Sequence, residues 1–179
     1  MHDKEDYAIV MDYLPYGYPL EKKMMPIAQA VGKKNFTLLE LVPRKGVTLE
    51  IGEEVYIGEG KREKIYYILG KLLYEKISEN AKSFLLSHIE KQITENEKKF
   101  VDFYNSAQPI NTRLHQIELL PGFGKKHMMA ILEGRNKKPF ESFEDLKKRI
   151  SNLPDPKTAV VKRIIEELKG EERHFLFVS

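Results

Sequence analysis

Leu120-Pro121-Gly122-Phe123-Gly124-Lys125-Lys126-His127-Met128-Met129-Ala130-Ile131 is the stretch on which the reading of this chain turns. Two glycines separated by one apolar residue let the backbone turn tightly between two helices and leave amide N–H groups exposed. A helix predicted from Lys125 to Leu132 then starts with its unpaired N–H groups pointing outward, an arrangement that binds a phosphate oxygen. Lys125 and Lys126 add positive charge without reading a base sequence, and Phe123 is placed to plug the small core between the helices. A Pro-Gly-x-Gly segment can also be a plain helix–helix turn. The paired lysines, and the small Ala130 where the helices must approach closely, favour contact with a nucleic-acid backbone.

Working outward, Thr112 or Asn111 can cap a helix running through Leu114, Ile117 and Leu120 into this turn. Downstream, Ser142 caps a third helix opening at Phe140–Leu146, with Asp145 three residues on as a near capping box. Pro154-Asp155-Pro156 breaks it, and Val160–Leu168 forms a fourth helix. The segment from Phe143 to Leu168 reads as a degenerate second copy of the first turn, with Asp155 and Pro156 where the glycines stand. Pro156 has no N–H to offer and Asp155 repels a phosphate, so this copy is expected to be structural. Phe175-Leu176-Phe177-Val178 reads as a final strand or an apolar tail.

Upstream the pattern changes. Tyr7–Leu14, Phe36–Val42, Val47–Ile51, Glu54–Ile57 and Ile65–Leu69 read as short strands between Gly- and Pro-rich turns, a pattern that points to a small OB-like or SH3-like barrel. Gly70 marks a bulge or bend as the last run continues to Ile77. From Ala81 to Tyr104 the apolar spacing becomes helical. The expected fold is therefore α+β: an OB-like β-barrel over residues 1–78, a helical linker over 79–106, a tandem helical unit over 107–170 whose second copy is degenerate, and a strand or tail over 171–179.

The 179 residues include no Cys and no Trp, which excludes disulfides, Cys-based zinc sites, iron–sulfur clusters and thiol nucleophiles. A formal net charge of +3 says little until it is divided. Residues 1–106 carry 16 Lys+Arg against 17 Asp+Glu, a net −1, and residues 107–179 carry 14 against 10, a net +4. No segment reaches the roughly 18 consecutive apolar residues of a membrane span, and the N-terminus lacks a secretory pattern, so a cytoplasmic protein without a membrane partner is expected. Lys and Glu abundance without Cys matches the bias of hyperthermophile proteins.

The Leu120–Ile131 stretch resembles the helix-hairpin-helix motif in residue types and spacing. That resemblance assigns phosphate contact to the amides of Gly122, Gly124, Lys126 and His127. In some members of the class a monovalent cation, K+ or Na+, is held by carbonyls, which here would be those of Glu118, Leu120 and Phe123. Over nearly its full length the chain is similar to the archaeal domain-of-unknown-function 655 family. Glu54-Val55-Tyr56-Ile57-Gly58, the run Pro109–Gly122 and Pro139-Phe140-Glu141-Ser142-Phe143-Glu144-Asp145-Leu146 carry the likeness. It implies a nucleotide- or RNA-binding protein with an OB-like barrel, linked to translation or transcription, and it implies no enzymatic activity.

The expected function is non-catalytic binding of an RNA or DNA backbone at Gly122, Phe123, Gly124, Lys125, Lys126 and His127, assisted by Arg135, Lys137 and Lys138. Tyr56, Tyr66 and Tyr67 are candidates for base stacking on the barrel. Lys126, with Glu144 or Asp145, matches the lysine and acid of helix-hairpin-helix DNA glycosylases, but the chain lacks the length for a second domain to enclose a flipped base. A third reading is a protein–protein adaptor on a ribosome or polymerase complex, using Met24-Met25 and Met128-Met129 as adaptable apolar residues. The histidines show no metal-ligating spacing, and no firm metal site is expected.

Overall fold

The structure is a computed structural model and describes residues 4–179. It is an α+β fold with five strands, β1 (Tyr7–Leu14), β2 (Ile27–Gly32), β3 (Leu38–Pro43), β4 (Glu54–Tyr56) and β5 (Ile65–Lys71). Five helices follow, α1 (Glu79–Glu95), α2 (Glu97–Ser106), α3 (Lys125–Lys137), α4 (Phe143–Arg149) and α5 (Pro156–Leu168). Two compact units result, one made of residues 1–87 with 167–179 and the other of residues 88–166. These boundaries differ from those read in the sequence, most of all at the C-terminal segment, which belongs with the sheet.

The strands form one curled antiparallel sheet in the order β4-β1-β2-β3-β5, leaving β4 and β5 as its edges. Three irregularities bend it. The register of β1 on β2 slips between Val10 and Asp12, and that of β3 on β5 slips between Val42 and Pro43 and between Glu40 and Leu41, the last next to Gly70 as its place in an apolar run foretold. Val47–Ile51 is not a strand. Gly46 and Gly52 both take positive φ, +82° and +89°, so two tight turns leave too little extended backbone for pairing, and the segment serves as a loop that plugs Leu49 into the core. β2, unforeseen in the sequence, is the centre of the sheet and all six of its residues are buried.

Ala28 and Ala30 of β2 face a cluster with Ala8, Val10, Leu41, Leu49, Val55, Ile57 and Ile65. The pleat turns Gln29 to the opposite face, where it is fully buried and fully used. Its Nε2 donates to the Lys76 carbonyl at 2.9 Å and to the Tyr18 hydroxyl at 3.2 Å, and its Oε1 accepts the Ser78 N–H at 3.0 Å. The Tyr18 hydroxyl donates to Glu40, and burial pushes its pKa well above the ordinary phenol value. Ser78 in turn caps α1, accepting the Ala81 N–H while its hydroxyl donates to Asp12 at 2.6 Å. A satisfied polar network thus ties the start of α1 to β1 and β2.

The C-terminal segment forms no strand. Instead the Glu167 carboxylate, 1% exposed, accepts the backbone N–H groups of Leu176, Phe177 and Val178 at 2.9 to 3.0 Å. One side chain does for this segment what a partner strand would do, because backbone donors partly shielded from water must find acceptors.

In the second unit α1 ends at Glu95 and α2 begins at Glu97, so the helical stretch read from the sequence is two helices parted at Asn96. The core is built from Phe100, Val101, Tyr104, Ile117, Leu120, Phe123, Ile131, Phe140, Leu146, Val160 and Ile164, all buried. Tyr104 is its centre, fully buried, with its hydroxyl donating to the Pro156 carbonyl at 2.7 Å.

Candidate nucleic-acid interface

The expected helix from Asn111 or Thr112 is absent. Ile110 and Asn111 donate forward to the Leu114 carbonyl, opposite to the helical sense, and Pro109 bridges His115, so the chain forms a small loop there. Only a short 3₁₀ turn, Gln116–Leu119, precedes the glycines. Its cap is His115, whose Nδ1 accepts the Ile117 N–H at 3.1 Å, while the Glu118 carboxylate accepts the His115 N–H at 2.8 Å. The reciprocal pair holds the entry to the glycine turn.

Burial, followed by the charge of Arg135, holds the His115 imidazole below its ordinary pKa. The His115 N–H and then Lys125 hold the Glu118 carboxyl low. The neutral ring is the one that can accept at Nδ1. Because the folded value lies below the free value of about 6.5, the contribution of this cap is fully present above that pH and is lost as pH falls through the folded value. His115→Asn keeps an acceptor that does not titrate. Urea midpoints taken from pH 7.5 to 5 are expected to fall more steeply for the wild type than for this variant, and parallel profiles would contradict the cap.

Gly122 follows with φ +86°, and a Cβ there would sit 3.5 Å from Pro154 Cγ, so the first turn lies against the second. Phe123 is buried, its ring 5.7 Å from that of His127 and 6.1 Å from that of Tyr104. Gly124 is the N-cap of α3, with φ −111° and ψ −168°, and its carbonyl accepts the Met128 N–H at 3.0 Å. Its own N–H donates to His127 Nδ1 at 3.2 Å. Having no side chain, Gly124 cannot cap the helix, and the N–H groups of Lys125, Lys126 and His127 lie in the first turn, where no intrahelical acceptor exists. A Cβ at Gly124 would meet nothing within 4 Å, so the position a side chain would take at this N-cap is open.

The second turn is the opposite case. Asp155 caps α5, its Oδ2 accepting the Thr158 N–H at 2.9 Å and the Thr158 hydroxyl at 2.7 Å, with Lys147 at 3.5 Å from Oδ1. Burial opposes its charge, but the Thr158 hydrogen bonds and Lys147 hold its carboxyl below the usual value. A protein anion already occupies the place an external one would take.

The basic residues read from the sequence do not gather at one place. Lys125 Nζ donates to the Arg113 carbonyl at 3.0 Å and to Glu118 at 3.2 Å, bracing the turn, and Lys126 is exposed beside the open amides. Arg135 is half-buried, and its Nη1 donates to the carbonyls of Tyr104 and Ala107 at 3.2 and 2.9 Å, closing the end of α2. Lys137 and Lys138 stand at the far end of the 13-residue α3, paired with Glu133 and Glu141. At 1.5 Å per residue that is about 20 Å from Gly124. The positive charge of residues 113–138 is thus spread along α3 rather than focused on the turn. Of the carbonyls named for a cation, that of Leu120 accepts the Phe123 N–H at 3.0 Å. Glu144 pairs with Lys147, and Asp145 with Arg149 and the Glu141 N–H. Among the described residues no group of three or more His, Asp or Glu could hold a metal ion.

Arg149 escaped the sequence reading. Its Nη2 donates to the carbonyls of Gly134 and Lys138 at 2.7 and 2.8 Å, and its guanidinium lies 4.3 Å from the Phe140 ring centre, so it finishes α3 where no glycine cap exists. Its place in the last turn of α4 gave no hint of these partners.

In the first unit, Tyr56 is half-buried, with its hydroxyl donating to the Glu59 carbonyl at 2.6 Å and its ring edge-on to Tyr7. Tyr66 is 65% exposed and Tyr67 37%, their rings 5.3 Å apart and nearly perpendicular. Of the three candidates, Tyr66 offers the most open ring.

The profile of a family described as "Protein of unknown function (DUF655)" matches residues 4–179. The uncharacterized protein MJ0038 of Methanocaldococcus jannaschii is 45% identical over 177 residues, which is 98% of this chain and 80% of that one. The crystal structure of Af1531 from Archaeoglobus fulgidus superposes with a TM-score of 0.83 at 47% identity, covering 98% of this chain and 100% of the other. No helix among the described residues is long and apolar enough to cross a membrane.

Proposed function

The chain belongs to the DUF655 family of archaeal proteins, and from that premise we propose that it binds RNA or DNA without catalysing a reaction, holding the backbone at the Gly122–His127 turn. The observation that carries this reading is the contrast between two helix starts in one unit. α3 begins at a glycine that cannot cap it, facing open space, and α5 begins at an aspartate that does. A phosphate oxygen placed before α3 would accept from the amides of Lys126 and His127, favoured by the helix dipole and by the Lys126 ammonium. Such contacts fix position and carry no base information. The turn with its 3₁₀ lead-in is read as the binding copy of a tandem helix-hairpin-helix. The strand order β4-β1-β2-β3-β5 fits a partly open OB-like barrel. A cation at the Glu118, Leu120 and Phe123 carbonyls is not needed for this contact.

Reversing Lys126 alone tests the proposal more sharply than reversing both lysines, since Lys125 braces the turn. Lys126→Glu is expected to weaken binding of duplex and single strands by on the order of tenfold, and to lower the slope of log K against log salt by about one. Unchanged affinity in a salt titration would remove the turn from the binding surface.

A second reading, the protein adaptor, is favoured by one observation. Met129 is 61% exposed, one turn along α3 from Lys126. Met129→Glu would separate the two by abolishing capture of a protein partner while leaving nucleic-acid affinity intact.

A further inference from the structure

The sheet-bearing unit contains a slot of about 490 Å³ lined by Tyr13, Pro26, Pro43, Val47 and Tyr66, with Arg44, Lys45, Gly46 and Thr48 completing it. Its volume falls within the range of small-ligand sites, and it combines flat apolar walls with a few polar groups at the edge. We propose that this slot takes one unstacked base of a single-stranded nucleic acid, with Tyr13 and Tyr66 as its stacking surfaces and Lys45 beside the adjoining phosphate.

The walls are preorganised. Tyr13 is half-buried, rests against the core cluster of the sheet and lines the slot. Tyr66 is propped edge-on by Tyr67, whose hydroxyl lies 3.6 Å from Met25 Sδ. Pro26 and Pro43 have no N–H and little conformational freedom to lose. The rim is a tight turn in which the Val47 N–H donates to the Arg44 carbonyl at 3.0 Å across Gly46. Arg44 is anchored at both ends, its N–H donating to the Lys64 carbonyl at 2.8 Å and its Nε to the Arg62 carbonyl at 2.6 Å. Lys45, exposed on that turn, is placed to move onto a phosphate.

The charge selects the occupant. Two cations line the slot and no carboxylate does, whereas a neutral proline-rich peptide would draw nothing from them. A duplex keeps its bases stacked and cannot insert one without unpairing it, so the slot distinguishes single strands. Arg44 and Lys45 also give the nearly neutral first unit a local positive edge. This inference rests on the reading of the protein as a nucleic-acid binder, but on residues wholly separate from the α3 turn.

The test uses the full chain, a fluorescein-labelled twelve-residue oligouridine and a duplex of the same length. Tyr66→Ala, at an exposed edge position, is expected to weaken the single strand about 5- to 100-fold, the effect of losing one stacked base, and to leave the duplex within about twofold. Lys45→Glu should weaken the single strand and reduce its salt slope. If Lys126→Glu has no effect while Tyr66→Ala still weakens the single strand, the turn proposal falls and the slot stands. If Tyr66→Ala leaves single-strand affinity unchanged, or the wild type binds no single strand, the slot proposal is overturned. Uridine monophosphate competing as strongly as the oligonucleotide would overturn it in favour of a free nucleotide, and competition by a decaproline peptide in favour of a protein ligand.

Discussion

Gly124→Asp is expected to make the protein slightly more stable and to lower its affinity for nucleic acid by ~10- to 100-fold. The stability gain, about 0.5 to 1 kcal/mol, comes from a side-chain cap and from removing a glycine from the unfolded chain. The residue adopts φ −111°, which any amino acid tolerates, and the space for a Cβ is empty. The affinity loss has the size of one charge-assisted hydrogen bond replaced by repulsion. In effect the substitution gives α3 the closed start that Asp155 already gives α5. Gly124→Ala is the control, since it fills the same space without supplying an acceptor, and it should bind within about threefold of the wild type. Opposite signs in stability and binding are a demanding outcome, because a variant that simply unfolds loses both.

Glu167→Ala is expected to carry the largest stability penalty of the changes considered, about 3 kcal/mol or more. It removes the common acceptor of three backbone N–H groups, at Leu176, Phe177 and Val178. Unpaired donors that remain shielded each cost about 1 to 3 kcal/mol. The segment would detach rather than keep them buried, so hydrogen exchange at those three amides should lose its protection while that of β1 and β2 persists. Glu167→Gln, which retains one carbonyl acceptor, should fall between. An unchanged urea midpoint with protected amides at 176–178 would show that the segment is held by other means.

What the sequence made legible followed local chemistry. β1, β4 and the bulge beside Gly70 could be read because β-branched and aromatic runs end at Gly and Pro. The Ser142 cap could be read from the residue itself, and its hydroxyl accepts the Asp145 N–H. β2 was lost because Ala28 and Ala30 are poor strand formers in isolation. Both are fully buried in the core cluster beside Leu41 and Leu49, a tertiary setting that the local sequence does not reveal. His115 was passed over as a cap because histidine is not among the favoured types. At the site, the open start of α3 was legible in Gly122-Phe123-Gly124, but the distribution of charge was not. Counting placed Arg135, Lys137 and Lys138 with the turn. Arg135 finds acceptors 28 and 31 residues upstream, which no local pattern encodes. The separation of Lys137 and Lys138 from Gly124 is helix geometry, available once the end of α3 before Pro139 is known.

On the proposed reading, backbone amides at the start of α3, and not those at the start of α5, meet a phosphate. Amide chemical shifts of the ¹⁵N-labelled full chain, followed while a short duplex is added, test it directly. Perturbations are expected to concentrate at Gly122–Met128, with Lys126 and His127 the largest, and to be small at Asp155–Ala159. Binding that shifts resonances elsewhere while Lys126 and His127 stay still, or that moves both helix starts alike, would contradict it.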